Sequence, residues 1–234
     1  MNAKQVSRTT SVLCAAALLA ALAAGCGTKP AENAQGGAAA GQTQTTGGTD
    51  TKKEGTTRKT YTAAPPMTID ASKKYTAAVT TSKGSFTIEL FAKDAPKTVN
   101  NFVFLAREGF YNDITFHRII KSFMVQTGDP LGTGMGGPGY KFEDELKSPY
   151  KYEPGIIAMA NSGKNTNGSQ FFICTGDDSK GLNSQPNYTI FGKVVEGMET
   201  IQKIADTPVA AGGESKPSKP TEKVTITKID ITEK

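Results

Sequence analysis

The sequence predicts a mainly β domain, a closed or nearly closed antiparallel barrel carrying two α-helices. Three observations predict it. Within residues 84–91, Phe86, Ile88 and Leu90 alternate with polar neighbours, the period-2 sign of a half-buried strand. Short apolar runs then recur at 114–120, 123–126, 156–160, 171–175 and 189–195. Only two stretches show helical spacing, and many short strands with few helices fit a barrel.

Composition bounds the function before any motif is considered. The 234 residues suit one domain with accessory segments. Lys and Arg number 27 against 22 Asp and Glu, but no stretch concentrates the basic residues, so nucleic acid is not an expected partner. One histidine, His117, and three cysteines, Cys14, Cys26 and Cys174, exclude a zinc finger, a multi-histidine metal centre and a disulfide scaffold. No metal or other cofactor is expected.

The chain divides into three parts. Lys4 and Arg8 precede 13 apolar residues at 12–24, the pattern of an export signal and too short for a spanning helix, which needs about 20. The stretch Leu22-Ala23-Ala24-Gly25-Cys26 resembles a bacterial lipobox, with Ala23 where leucine is usual and the leucine one place early. Residues 1–25 are therefore expected to be a lipoprotein signal peptide and Cys26 the lipid-accepting residue. That would make the protein an extracytoplasmic lipoprotein anchored to the membrane through Cys26. The rival reading is ordinary cleavage after a small residue, leaving Cys26 a free thiol. Residues 27–66 hold no Val, Ile, Leu, Phe or Met and one aromatic, Tyr61. Such a segment buries too little apolar area to offset its ordering entropy, so 26–66 is expected to be the lipidated cysteine and a disordered tether. As a flexible coil it would span roughly 35 Å. The globular domain is expected at 67–234.

Within that domain each element has a local cause. Asp94-Ala95-Pro96 opens a helix, with proline in the first turn where its missing N–H costs nothing. Val99, Phe102, Val103 and Ala106 follow at helical spacing, and Glu108-Gly109 ends it. A second helix is expected at 198–205 from Met198, Ile201 and Ile204. In the last strand, Val224 and Ile226 share one parity and Ile229 and Ile231 the other, which predicts a bulge or bend near Thr227.

Two long motifs then carry the chemistry. Phe116-His117-Arg118-Ile119-Ile120-Lys121-Ser122-Phe123-Met124-Val125-Gln126-Thr127-Gly128-Asp129 resembles the motif of the cyclophilins, the peptidyl-prolyl cis-trans isomerases. Met159-Ala160-Asn161-Ser162-Gly163-Lys164-Asn165-Thr166-Asn167-Gly168-Ser169-Gln170-Phe171-Phe172-Ile173-Cys174 is similar to the family's second block, and the segment from Phe191 to Met198 to a third. The resemblance runs from about Tyr75 to Ile231. It implies an eight-stranded closed antiparallel barrel capped by two α-helices, and an enzyme that isomerises X-Pro bonds in unfolded or exported polypeptides. It also implies site roles: Arg118 as donor to the prolyl nitrogen, Phe123 at the ring pocket and Gln126 toward the substrate carbonyl. Met124, Phe172, Leu182 and Tyr188 would complete the pocket. The backbone of Asn161 would hold the peptide, and Thr133, Ala160, Ser162 and Gln170 would line the neighbouring groove.

Other features are set aside. Gly132-Thr133-Gly134-Met135-Gly136-Gly137 matches a dinucleotide pattern, but Pro138-Gly139 follows where a helix should start, so it is read as a loop flanking the groove. Glu143-Asp144-Glu145 lacks metal-loop spacing and is read as a solvated or hydrogen-bonding turn. His117 is read as structural, since isomerisation needs no base, and Cys174 as an inert buried thiol. Many family members carry a tryptophan near the position of Gly181, and this chain has no tryptophan, so weak cyclosporin binding is expected. A monomer is expected. The rival functions are a non-catalytic proline-peptide-binding chaperone module and a solute-binding lipoprotein. The first has no need of Arg118, and the second would require another lobe.

Overall fold

The computed structural model describes residues 51–53 and 56–234, with side chains from Arg58 onward. The expected signal peptide, Cys26 and most of the expected tether lie outside the described residues.

A short hairpin, β1 (Thr51–Lys53) and β2 (Thr56–Arg58), precedes the domain. There follow β3 (Tyr75–Thr81), β4 (Gly84–Leu90), α1 (Pro96–Arg107), β5 (Arg118–Ile120), β6 (Met124–Thr127), β7 (Ile156–Met159) and β8 (Phe171–Cys174). A 3-10 helix (Asp177–Ser184), β9 (Ile190–Glu196), α2 (Met198–Ala205), the small pair β10 (Val209–Ala210) and β11 (Lys219–Pro220), and β12 (Ile226–Glu233) complete the chain. Eight strands form one antiparallel sheet in the order β12-β3-β4-β9-β7-β8-β6-β5. Its edges meet where the chain entering β5 runs beside the chain entering β12. There Asp113 N–H donates to the Ile226 carbonyl (2.8 Å), Ile226 N–H to Ile114 (2.8 Å) and Phe116 N–H to Val224 (2.9 Å). The sheet is thus curled into the barrel-like form the sequence predicts, and the register shift between Ile226 and Lys228 puts the irregularity at Thr227.

Both faces of β7 and β8 are covered, which is why their sequences read as unbroken apolar runs. Ile119, Val125, Ile157 and Ile173 point into the main core with Phe102, Phe171, Phe191 and Ile201. The aromatic centre of that core packs edge-to-face: Phe102 on Phe171 at 5.5 Å and Tyr111 on Phe171 at 5.6 Å. Met124, Ala158, Phe172 and Cys174 point the other way and form a second apolar cluster.

Helix α1 starts at Pro96 as expected, but its free N–H groups are satisfied from elsewhere. Ala95 is the N-cap and provides no side-chain bond. Glu145 instead accepts from Lys97 N–H (3.2 Å), Thr98 N–H (2.9 Å) and the Thr98 hydroxyl (2.8 Å). One carboxylate of the acidic run therefore caps a helix 47 residues away in sequence.

The expected boundary at Met67 moves back toward the N-terminus. Arg58 donates to the Asn112 and Asp113 carbonyls, and Lys59 to the carbonyl and carboxylate of Glu108. Tyr61 packs its ring on Phe104 at 5.1 Å, and its N–H donates to the Pro138 carbonyl (2.8 Å). Gly139 (φ +98°) permits this approach, because a Cβ there would lie 2.4 Å from the Tyr61 carbonyl oxygen. Asn100 then accepts from Thr68 and Ile69 N–H and donates to the Pro66 carbonyl. Composition misplaced the boundary because a single aromatic and two charged groups hold this strap, with few aliphatic residues.

Tyr61→Ala is accordingly expected to cost about 2 kcal/mol, less than a fully buried aromatic because the ring is half-exposed. That corresponds to a fall in Tm of about 4–8 °C for a domain of this size. A chain beginning at Met67 is expected to melt lower than one beginning at residue 57, and calorimetry on the pair checks this.

Candidate functional site

The register of β5, β6, β8 and β7 lays one row of side chains across four strands. Arg118 is paired with Gln126, Gln126 with Phe172 and Phe172 with Ala158, so all four share the face opposite the main core. One residue pair further along, Ile120 faces Met124 and Met124 faces Cys174. The row is cationic at one end, amide in the middle and apolar at the other.

The apolar end is a cluster open to solvent at its rim. Met124 and Phe172 are buried in its base, and Phe123, Leu182 and Tyr188 pack around them half-exposed. Phe123 follows the tight β5–β6 turn, and Leu182 comes from the 3-10 helix. Tyr188 stands edge-on to Phe172, with centroids 5.5 Å apart and planes at 89°. Tyr152 braces that wall: its hydroxyl donates to the Tyr188 carbonyl (2.5 Å) and accepts from Tyr188 N–H (3.1 Å). Burial pushes the Tyr152 hydroxyl up to about 12, so it keeps its proton. Cys174, in the same cluster, is fully buried, and burial pushes its thiol up to about 11, which makes it unreactive at neutral pH.

Arg118 and Gln126 stand at the other end. The Arg118 Nη1 donates to Gln126 Oε1 (3.3 Å) and lies 3.4 Å from Met124 Sδ. Gln126 Nε2 donates to Gln170 Oε1 (3.0 Å), and Gln170 Nε2 donates to the Gly134 and Gly136 carbonyls (3.0 and 2.8 Å). This chain of amides fixes which end of Gln126 faces the guanidinium. The remaining Arg118 donors meet Glu214: Nε reaches Oε1 at 2.6 Å and Nη2 reaches Oε2 at 2.8 Å. The arginine holds the Glu214 carboxyl below the usual carboxylate range.

Beside this row lies a cleft of about 560 Å³, lined by Gln126, the 134–141 loop, Ala160, Asn161, Ser162, Thr166 and Gln170 among others. Four of the five groove residues expected from sequence are therefore present. Thr133 sits next to Gly134 at the rim of the cleft. It is outside the lining, and its N–H and hydroxyl turn to Asp129 at 2.8 and 3.4 Å. Asn161 spends its side chain on the Asn187 carbonyl and Gly163 N–H, so its main chain is what it can offer a peptide.

Asp129, which the sequence reading did not single out, organises the loop. It accepts from Leu131 N–H (2.7 Å), Thr133 N–H (2.8 Å) and Gly134 N–H (2.6 Å). Burial pushes its carboxyl up, but the donors from Leu131, Gly136, Gly134 and Thr133 outweigh that and hold it below the ordinary value. A Cβ on Gly136 would fall 1.9 Å from Asp129 Oδ1, so the glycine-rich run is built around this carboxylate. An aspartate three residues before such a run was the available signal. Glu214, 96 residues from Arg118, left no such trace. His117 sits half-buried under the same loop, and burial lowers its pKa, so it is neutral at pH 7. Among the described residues no three His, Cys, Asp or Glu side chains cluster as a metal site requires.

Comparison with known proteins places this geometry. The family model for cyclophilin type peptidyl-prolyl cis-trans isomerases matches residues 76–231. Peptidyl-prolyl cis-trans isomerase-like 1 of Aspergillus oryzae is 52% identical over 141 residues, covering 58% of this chain and 84% of that protein. The mouse peptidylprolyl isomerase domain and WD repeat-containing protein 1 is 48% identical over 159 residues, 66% of this chain and 24% of that protein. A crystal structure of a Cryptosporidium parvum cyclophilin type isomerase superposes with TM-score 0.62 at 37% identity, covering 68% of this chain and 98% of that one. A second crystal structure of that isomerase, in the presence of the dipeptide Ala-Pro, gives 0.61.

Asp129→Asn is expected to destabilise the domain by about 2 kcal/mol at pH 7, because charge-assisted bonds to three N–H groups are weakened. The carboxyl's folded pKa is depressed, so its contribution is complete above the unfolded value and is lost as pH falls through the folded one. Urea melts should show the variant's deficit at pH 7 and its disappearance at pH values well below the ordinary carboxylate range.

Proposed function

For a chain that belongs to the cyclophilin-type peptidyl-prolyl cis-trans isomerases, we propose that Arg118, Phe123 and Gln126 carry the reaction and that its substrates are exported polypeptides met at a membrane surface. The chain is a peptidyl-prolyl cis-trans isomerase, and proline-containing peptides are its substrates. The observation that carries the mechanistic reading is the row Arg118-Gln126-Phe172, a fixed cation one strand from an apolar ring pocket.

The reaction explains the arrangement. An X-Pro bond isomerises over about 18–20 kcal/mol because amide resonance must be broken. No covalent intermediate and no net proton transfer is needed, so the catalyst must bind the twisted amide better than either planar form. In the twist the prolyl nitrogen regains a lone pair and accepts a hydrogen bond. Arg118 meets it with a planar guanidinium donor. The pocket of Phe123, Met124, Phe172, Leu182 and Tyr188 holds the ring. Gln126 meets the substrate carbonyl, and the main chain of Asn161, with Ala160, Ser162 and Gln170, holds the peptide in the cleft. Lowering the barrier by about 7 kcal/mol would accelerate the step roughly 10⁵-fold.

The location rests on the N-terminal sequence. Lys4, Arg8, the apolar run and Cys26 support a lipoprotein form, with a polar segment separating Cys26 from the domain. A diacylglyceryl group on Cys26 would supply the two acyl chains that stable anchoring requires.

Two experiments test these readings. In a protease-coupled assay on a short X-Pro peptide, Arg118→Ala is expected to lower kcat/KM by at least about 100-fold, the loss of about 2.7 kcal/mol of transition-state binding. Peptide binding without turnover in the unsubstituted protein would leave a binding module instead. In cells fed a clickable palmitate analogue, the protein is expected to take up label and Cys26→Ala to abolish it. Unlabelled protein in the membrane-free fraction would contradict the anchored form.

A further inference from the structure

The forked contact between Arg118 and Glu214 has a construction of its own. Glu214 lies in the loop between β10 and β11, far from the cyclophilin motifs. That loop is fastened beside the site: Ile119 N–H donates to the Ser218 carbonyl (2.8 Å), and Ser218 N–H donates to Ala210 (3.1 Å). Ser218 is buried, and its hydroxyl donates to Glu214 Oε1 at 3.2 Å. The carboxylate thus receives three donors: Arg118 Nε, Arg118 Nη2 and Ser218 Oγ. It approaches the guanidinium on the edge away from the pocket. Nη1 is left on the side of Gln126 and Met124.

An arginine side chain on a three-residue strand, 29% exposed, has four rotatable bonds and would occupy several rotamers if only Nη1 were held. A two-point fork fixes both its plane and its rotation, which one bond to Gln126 cannot. Position is what the isomerisation demands of this group, because its donor must coincide with a lone pair that exists only in the twisted amide.

We propose that Glu214 is a positioning residue for the isomerisation, acting through Arg118 by fixing the guanidinium plane and leaving Nη1 turned toward the proline pocket. The proposal rests on the reading of Arg118 as the catalytic donor.

The test uses the full chain with Glu214→Gln, Arg118→Ala and the double variant. Glu214→Gln keeps the side chain's size but loses its charge and one acceptor oxygen, so it cannot form the two-oxygen fork to Nε and Nη2. Its kcat is expected to fall about tenfold with KM within about twofold, the split that marks misplacement of a group acting in the transition state. The ¹⁵N-coupled Arg118 Nε–H resonance, held downfield and slow to exchange by the short carboxylate bond, should move upfield and exchange faster. In the Arg118→Ala background, Glu214→Gln should cost nothing more. Unchanged or higher kcat in Glu214→Gln, with Arg118→Ala still inactive, overturns the positioning role alone. So does a rise confined to KM, or a loss that persists in the Arg118→Ala background. Full turnover by Arg118→Ala overturns the reading of Arg118, and the positioning role falls with it.

Discussion

The site depends on register. Because side chains alternate faces along a strand, the pairing Arg118–Gln126–Phe172–Ala158 puts charge, amide and ring on one surface, and a slip of one residue would turn that surface into the core. The core residues of the same strands, Ile119, Val125, Ile157 and Ile173, forbid the slip, since each is fully buried on the other side. The barrel core and the apolar cluster beside Arg118 and Gln126 are therefore two outcomes of one constraint.

Loops finish what the strands begin. Asp129 gathers the 131–136 loop, Gln170 ties two of its carbonyls to the amide beside Arg118, and Tyr61 presses on its far end at Pro138 and Gly139. Glu145 caps α1 from the acidic run, and Tyr152 holds Tyr188 against Phe172. These contacts lie outside the strand ladders, and most of them satisfy main-chain groups that irregular backbone leaves open.

The difference between strands and loops also decides what the sequence could reveal. Period-2 alternation located β4, and the parity change after Ile226 located the irregularity in β12, because both are local consequences of a pleated strand with one buried face. Helix α2 was legible from Met198, Ile201 and Ile204 for the same reason at helical spacing. Phe123, Met124 and Phe172 of the apolar end, and most of the groove, were legible through two long motifs. Tyr152 and Glu214 were not, because each acts on a partner that only the folded chain brings near, and Asp129 was passed over although the loop it gathers begins two residues on. Thr133 turns its N–H and hydroxyl to Asp129, a contact the motifs did not signal. The strap at 58–66 was read as tether because composition weighs residue types and not the one ring that finds a niche.

The central claim is that the Arg118 guanidinium binds the twisted amide and not the planar peptide. Exchange NMR on a saturating X-Pro peptide separates the two, giving the dissociation constant and the on-enzyme interconversion rate in one experiment. With Arg118→Lys, which keeps a positive charge but loses the planar fork, the account predicts an interconversion rate at least about tenfold slower and a Kd within about threefold. A Kd that rises tenfold while interconversion keeps its rate would contradict it, and would make Arg118 a residue for binding peptide alone.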